Sequence, residues 1–380
     1  MKKHFSLLAM AALAAFCLTS CEEDDDDNFV VCPVETSDGV FVINSGHKTG
    51  GIEGTLTYYD YGTGKATQKV YLAANDMSLG ETPNHAVVYG SKIYIVGSGE
   101  KTVFVADRQT LKSVTNIEVK VNGEAATPRQ AVAGNGYVYV STYSNAVIAI
   151  DTLTNTISDD NTYQCGYYTE GMVLHDGYLY TADSNYGSGD LGTSFPSISQ
   201  INLDTHETTT IRHKQINNPV DVKFVGNRMF ILDSGSYDDN WNQIGAGVYE
   251  LADNNVTRII EDATEMACCN GKIFTINAPY KTTSVTIPSY TVFDTATDKS
   301  TTFCDGTDIK YPGKISTDPV KGYVYITSYN LGSSGYADYK DDGYCVIYNE
   351  AGVRQAQFKC GVGAGYVVPN FSVDYVQVPQ

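Results

Sequence analysis

Thr82-Pro83-Asn84-His85-Ala86-Val87-Val88-Tyr89-Gly90, followed by Lys92-Ile93-Tyr94-Ile95-Val96, decides the fold. A turn with proline leads into a short strand. A Gly-containing turn follows, then an apolar strand that runs into small polar residues. The cassette returns as Thr127-Pro128-Arg129-Gln130-Ala131-Val132 with Tyr137-Val138-Tyr139-Val140-Ser141. It returns again as Asn218-Pro219-Val220-Asp221-Val222 with Met229-Phe230-Ile231-Leu232-Asp233. After each pair a loop leads to a third strand closing on Asp or Asn. A repeat of four short strands predicts an all-β chain folded as a β-propeller.

Two series number the blades. Innermost strands are expected to begin near Asn84, Arg129, Glu170, Val220, Glu265, Gly313 and Asn370, and third strands to end at Asp60, Asp107, Asp151, Asp204, Asp253, Asp294 and Asn349. Both series give a seven-bladed propeller. Thr63, Thr110, Thr154 and Thr297 each follow an Asp by three residues. An Asp opening a tight turn accepts backbone N–H groups two and three residues on, so these carboxylates read as turn chemistry rather than catalysis. Val368-Pro369-Asn370-Phe371 resembles an inner strand with no second strand after it, and Gly39-Val40-Phe41-Val42-Ile43-Asn44 a second strand with no first. Joined, they close one blade from both termini, which removes exposed sheet edges and makes truncation costly. Each blade is expected to carry its own small core.

The organisation reads as residues 1–20, a signal peptide; 21–38, an acidic tether; and 39–380, the propeller. Lys2 and Lys3 precede an apolar run from Phe5 to Leu18, too short to span a bilayer. Leu18-Thr19-Ser20-Cys21 resembles a bacterial lipobox, which would make Cys21 a lipid anchor. Glu22 to Asp27 is an unbroken acidic run, solvated as a tether. Placed after a lipidated Cys, it resembles the surface-export signal of Bacteroidetes lipoproteins. The expected location is therefore the outer membrane, facing outward.

Removing the first twenty residues leaves 23 Lys and Arg against 44 Asp and Glu. That balance disfavours nucleic acid and anionic membrane surfaces as partners. Seven cysteines lie beyond Cys21. With Cys345 expected to face position 356, Cys360 lies beyond disulfide reach, and buried free thiols are expected.

In a propeller the strand-two-to-three links and the links between blades share one face. Here the former are long: Ser184 to Pro196, Ser234 to Gly245, Ala278 to Pro288 and Tyr329 to Asp342. Long loops on a rigid scaffold carry binding, and these are rich in Tyr, Trp, Asn, Ser, Gly and Asp, which suit it. They supply Tyr186, Tyr237, Trp241, Tyr280 and Tyr329 as candidate ligand-binding residues, and the short link Thr142-Tyr143-Ser144-Asn145 adds Tyr143. Inner-strand starts, pointing toward the channel mouth, add Asn84, His85, Arg129, Gln130, Glu170, Asp221, Lys314 and Asn370, with Glu265 beside them. This mixture of donors and acceptors suits a polyfunctional, nearly neutral ligand.

No catalytic or metal-ligating set stands out, and the chain is read as a binder, not an enzyme. Only His85 among six histidines sits at an inner-strand start, where a His-ringed redox metal would need several. A single His there is more often hydrogen-bonded than ligating. Glu170, Asp221, Glu265, Asn84 and Asn370 could supply oxygens to Ca²⁺, which leaves a lactonase-type enzyme as one alternative.

Gly39-Val40-Phe41-Val42-Ile43-Asn44-Ser45-Gly46 and Gly54-Thr55-Leu56-Thr57-Tyr58-Tyr59-Asp60 resemble the opening of YncE-like, YVTN-type propeller lipoproteins of Bacteroidetes. Asp151-Thr152-Leu153-Thr154-Asn155 and Asp294-Thr295-Ala296-Thr297-Asp298-Lys299 match that family's hairpin. The resemblance covers residues 39–376. Together with the lipobox and acidic run it is similar to the BtuG type, which implies capture of cobalamin (vitamin B12) as a transported ligand, without a resident cofactor, and transfer to a TonB-dependent transporter. A glycan- or peptide-binding surface propeller is the other alternative.

Overall fold

The computed structural model describes residues 29–184, 196–253, 255–282 and 286–379. The signal segment, Cys21 and the acidic run lie outside them. Seven antiparallel sheets of four strands form the propeller. The first blade comprises Pro83–Tyr89, Lys92–Gly97, Thr102–Asp107 and Ser113–Glu118, from the channel outward. Inner strands of the next five blades are Pro128–Gly134, Thr169–His175, Pro219–Val225, Ala263–Cys269 and Tyr311–Asp318. In the seventh, Ala364–Pro379 lies beside Phe29–Asn44, followed by Thr55–Asp60 and Lys65–Thr67. The terminal closure is as expected. Among the described residues, 29–36 and 371–379 form a separate small unit, in which the Thr36 and Ser372 hydroxyls are 2.5 Å apart.

The core does not follow the expectation of one small core per blade. The seven hydrophobic clusters found each join two neighbouring blades. The second strand explains this. Side chains alternate faces along a strand, so Ile93 and Ile95 pack toward the seventh blade while Tyr94 and Val96 pack toward the second. Both faces are covered, which is why these strands read as nearly unbroken apolar runs.

Inner and second strands are joined by tight turns. Asn135-Gly136, Asp176-Gly177 and Asn270-Gly271 have positive φ at both positions, the conformation that matches strand twist. At the outer hairpins the Asp-x-x-Thr reading holds. Asp107 Oδ1 accepts from Thr110 N at 2.7 Å and Thr110 Oγ1 at 2.8 Å; Asp60, Asp151 and Asp294 accept from the threonine backbone in the same way. Two positions differ. In the third blade Asn202, not Asp204, accepts from Asp204 N and Thr205 N. In the fourth the strand ends at Ala252, and Asp253 has φ 48°. The six described cysteines beyond the first strand are free, and a bulge makes Cys345 face Phe358 rather than position 356.

Candidate functional site at the channel mouth

Most residues that reach the channel mouth do so because the inner strands of the first six blades start irregularly. Pairing with the second strand shifts register between Pro83 and His85, Pro128 and Ala131, Thr169 and Met172, Pro219 and Asp221, Ala263 and Glu265, and Pro312 and Ile315. A bulge re-aims side chains, and the skipped residues include Asn84, Arg129, Gln130, Glu170 and Lys314. Small polar residues ending the second strands pin these bulges. Ser141 Oγ accepts from Gln130 N at 3.0 Å and donates to Glu170 O, in the next blade, at 2.7 Å. Thr327 Oγ1 accepts from Lys314 N at 2.8 Å. In the third blade Asp183 is fully buried and accepts from the hydroxyls of Thr169, Thr181, Ser197 and Ser199. Gly171 must be glycine here, because a Cβ would meet Asp221 Oδ1 at 2.2 Å.

The result is a bowl of about 530 Å³. Among the described residues three carboxylates line it, and each is met by a cation. Glu170 bridges Arg129 at 3.1 and 3.2 Å, Asp221 meets Lys223 at 2.7 Å, and Glu265 meets Lys314 at 2.5 Å. Tyr143 donates to Glu170, and its ring lies 4.5 Å beneath the Arg129 guanidinium. Asn84, with its amide oxygen turned toward Arg129, accepts from that guanidinium and from Ser98 Oγ. Burial works against the Arg129 and Lys314 charges, but Glu170 and Glu265 outweigh it and hold both pKa values above their ordinary range. Among the described residues, no three His, Cys, Asp or Glu side chains converge as a metal-binding group would. One rim carries Tyr311, Tyr329 and Tyr339, with centroids 5.0–6.4 Å apart.

Of the candidates read from sequence, Asn84, Arg129, Gln130, Glu170, Asp221, Lys314 and Tyr329 line this bowl. Tyr143 stands behind it through Glu170. His85 lies in the channel wall without lining the bowl; its Nδ1 accepts from Ala131 N at 3.3 Å, and its ring meets Tyr366 edge-on at 4.8 Å. Tyr237, Trp241 and Tyr280 do not line the bowl. Tyr186 falls outside the described residues.

Asn370 is a correction. The seventh inner strand begins at Ala364, not at Asn370. Asn370 is therefore six residues into the strand, where it accepts from Arg108 Nη1 at 3.0 Å. Arg108 belongs to the first blade's outer hairpin, on the face away from the bowl. Tyr366 holds the seventh place in the ring instead. Lys314 Nζ lies 5.1 Å from its ring centroid, and Gln130 Nε2 donates to its hydroxyl at 3.4 Å. The signal for it was Gly363-Ala364-Gly365, three small residues marking the blade-to-blade turn. Gly363 has φ 71°, and a Cβ there would meet Ser45 Oγ at 2.4 Å.

Fold and bowl together define a seven-bladed propeller with a charge-compensated polar cavity on its long-loop face. The chain belongs to the family described as Domain of unknown function (DUF5074), whose model matches residues 38–361. No curated protein matches it. Solved structures similar to it include a Bacteroides uniformis ATCC 8492 protein provisionally named a 6-phosphogluconolactonase, at 12% identity over 89% of this chain and 100% of that one, TM-score 0.57. Kuenenia stuttgartiensis hydrazine synthase is similar at 14% identity over 78% and 89%, TM-score 0.52. The WD40 repeats of RRP9 follow at 7% over 74% and 81%, TM-score 0.50. At such identities the likeness extends to the fold alone.

Proposed function

We propose that the chain is a surface-exposed outer-membrane lipoprotein, anchored through Cys21, that captures cobalamin in the bowl and hands it to a TonB-dependent transporter without transforming it. The observation that supports this reading is the pairing of Glu170, Asp221 and Glu265, the carboxylates lining the bowl among the described residues, each with a cation. These paired groups offer little net charge to an ionic substrate, and they present oriented donors and acceptors for amides and hydroxyls. Cobalamin is large, amide-fringed and nearly neutral. The bowl would take one edge of it while the tyrosine rim covers an adjoining face. The same pairing weighs against a Ca²⁺ enzyme, because Glu170 and Glu265 would have to release Arg129 and Lys314 to reach a common ion.

The test is calorimetry with cobalamin and the soluble chain from residue 22. One-to-one binding in the nanomolar range, about −12 kcal/mol, is expected, unchanged by a chelator. No heat at roughly 1 mM cobalamin, where even a Kd of ~1 mM would register, would overturn the reading.

A further inference from the structure

Tyr237, Trp241 and Tyr280 form a second exposed group on the same face, outside the bowl. Tyr237 and Trp241 rings lie 6.4 Å apart. Their exposures are 54% and 70%, and that of Tyr280 is 55%. Large rings this exposed are normally mobile and costly to order on binding, but these sit on a braced frame. Ser236–Tyr237 pairs with Gln243–Ile244 as a small hairpin. Within it Asp238 accepts from Asn240 N and Asn242 N, both at 2.8 Å, and from Asn242 Nδ2 at 3.0 Å. Those bonds, Asn242 foremost, hold the Asp238 carboxyl below its usual range.

A neighbouring blade brings the exposed Tyr280 to the hairpin through its backbone. Gln243 N donates to Tyr280 O at 2.8 Å, and Tyr280 N donates to Gln243 Oε1 at 3.0 Å. Thr282 N donates to Asn242 Oδ1 at 3.1 Å, and Thr282 Oγ1 to Asn240 O at 2.9 Å. The loops of two blades are thus stitched immediately beside Trp241.

We propose that this platform is a second binding site, for the faces of neutral hexose rings in an oligosaccharide. A sugar ring offers an apolar C–H face and a polar hydroxyl edge. That pairs with an aromatic face bordered by Asn and Thr. Asp238 and Asp239 beside the rings, in a strongly acidic chain, disfavour anionic polysaccharides and nucleic acid. Ile244 is half exposed but pairs opposite Ser236, so it lies on the other face of the ribbon from Tyr237.

Trp241 is the only tryptophan in the chain, so its fluorescence reports on this platform alone. The experiment titrates the soluble chain with cello-, xylo-, manno- and maltohexaose up to about 10 mM, weak enough to reach millimolar Kd values. A saturable emission change with at least one of them is expected. Binding heat for that sugar should fall about tenfold or more in Trp241→Ala and in Tyr280→Ala, with melting temperatures kept. Cobalamin heats, measured in parallel, should be unchanged in both variants. Three results would overturn the proposal: no saturable change with any of the sugars, undiminished sugar binding in both variants, or joint loss of sugar and cobalamin binding. The proposal stands whether or not the bowl takes cobalamin.

Discussion

His85 shows how much one side chain depends on its surroundings. Burial, with the ammonium groups of Lys223 and Lys314 adding to it, pushes its pKa down to about 3 from an ordinary 6.5. The folded chain therefore keeps the imidazole neutral where the unfolded chain protonates it. Stability from this group is full above pH 6.5 and is lost as pH falls toward 3, by up to about 1.4 kcal/mol per pH unit. Asp183 and Asp233, raised by burial, act in the opposite sense. The informative quantity is thus a difference. His85→Gln, whose amide oxygen can still accept from Ala131, should lose less stability than the parent between pH 6.5 and 4 in urea unfolding. Equal slopes would contradict the placement. At this scale sequence reading named the bowl residues that follow a turn, such as Asn84 and Arg129. It missed Tyr366 because Pro369 read as a turn proline, although it lies inside a long strand.

Among the elements, the irregular start of the inner strand matters most. In the first six blades register shifts aim one or two side chains into the channel, and polar ends of second strands such as Ser141 and Thr327 hold them there. Asp183 is the most heavily engaged of these ends, and replacing it by Ala strands four buried hydroxyls. Asp183→Ala should cost about 2–4 kcal/mol, measured by chemical unfolding, whereas a loss under roughly 0.5 kcal/mol would be an ordinary surface effect and refute the role. The strands themselves were legible because apolar runs, Asn-Gly turns and Asp-x-x-Thr hairpins are local signals. Asp204 misled because Asn202, two residues earlier, takes the turn role, while Asp253 lies one residue past the strand end. The cores were misplaced for a related reason: a strand buried on both faces does not say which neighbour covers which face.

For the whole molecule, closure is the governing feature. The last strand supplies Val367 to the junction between the sixth and seventh blades and Val368 to that between the seventh and first. A chain ending at residue 362 loses both contributions and exposes the edge of Phe29–Asn44. It should show no cooperative melting transition by circular dichroism. A melt within a few degrees of the parent, equivalent to roughly 1 kcal/mol or less, would mean closure is dispensable. Blade number and closure were readable because seven copies of one cassette were present. The ligand was not, because the ring mixes every polar type and the rim depends on how loops fold over it.

The most direct measurement is a crystal structure of the chain with cobalamin. The account predicts the ligand over the bowl, in contact with Arg129, Gln130, Glu170, Lys314 and Tyr366, with Tyr339 along one side. Cobalamin on the opposite face, or none at saturating concentration, would contradict it.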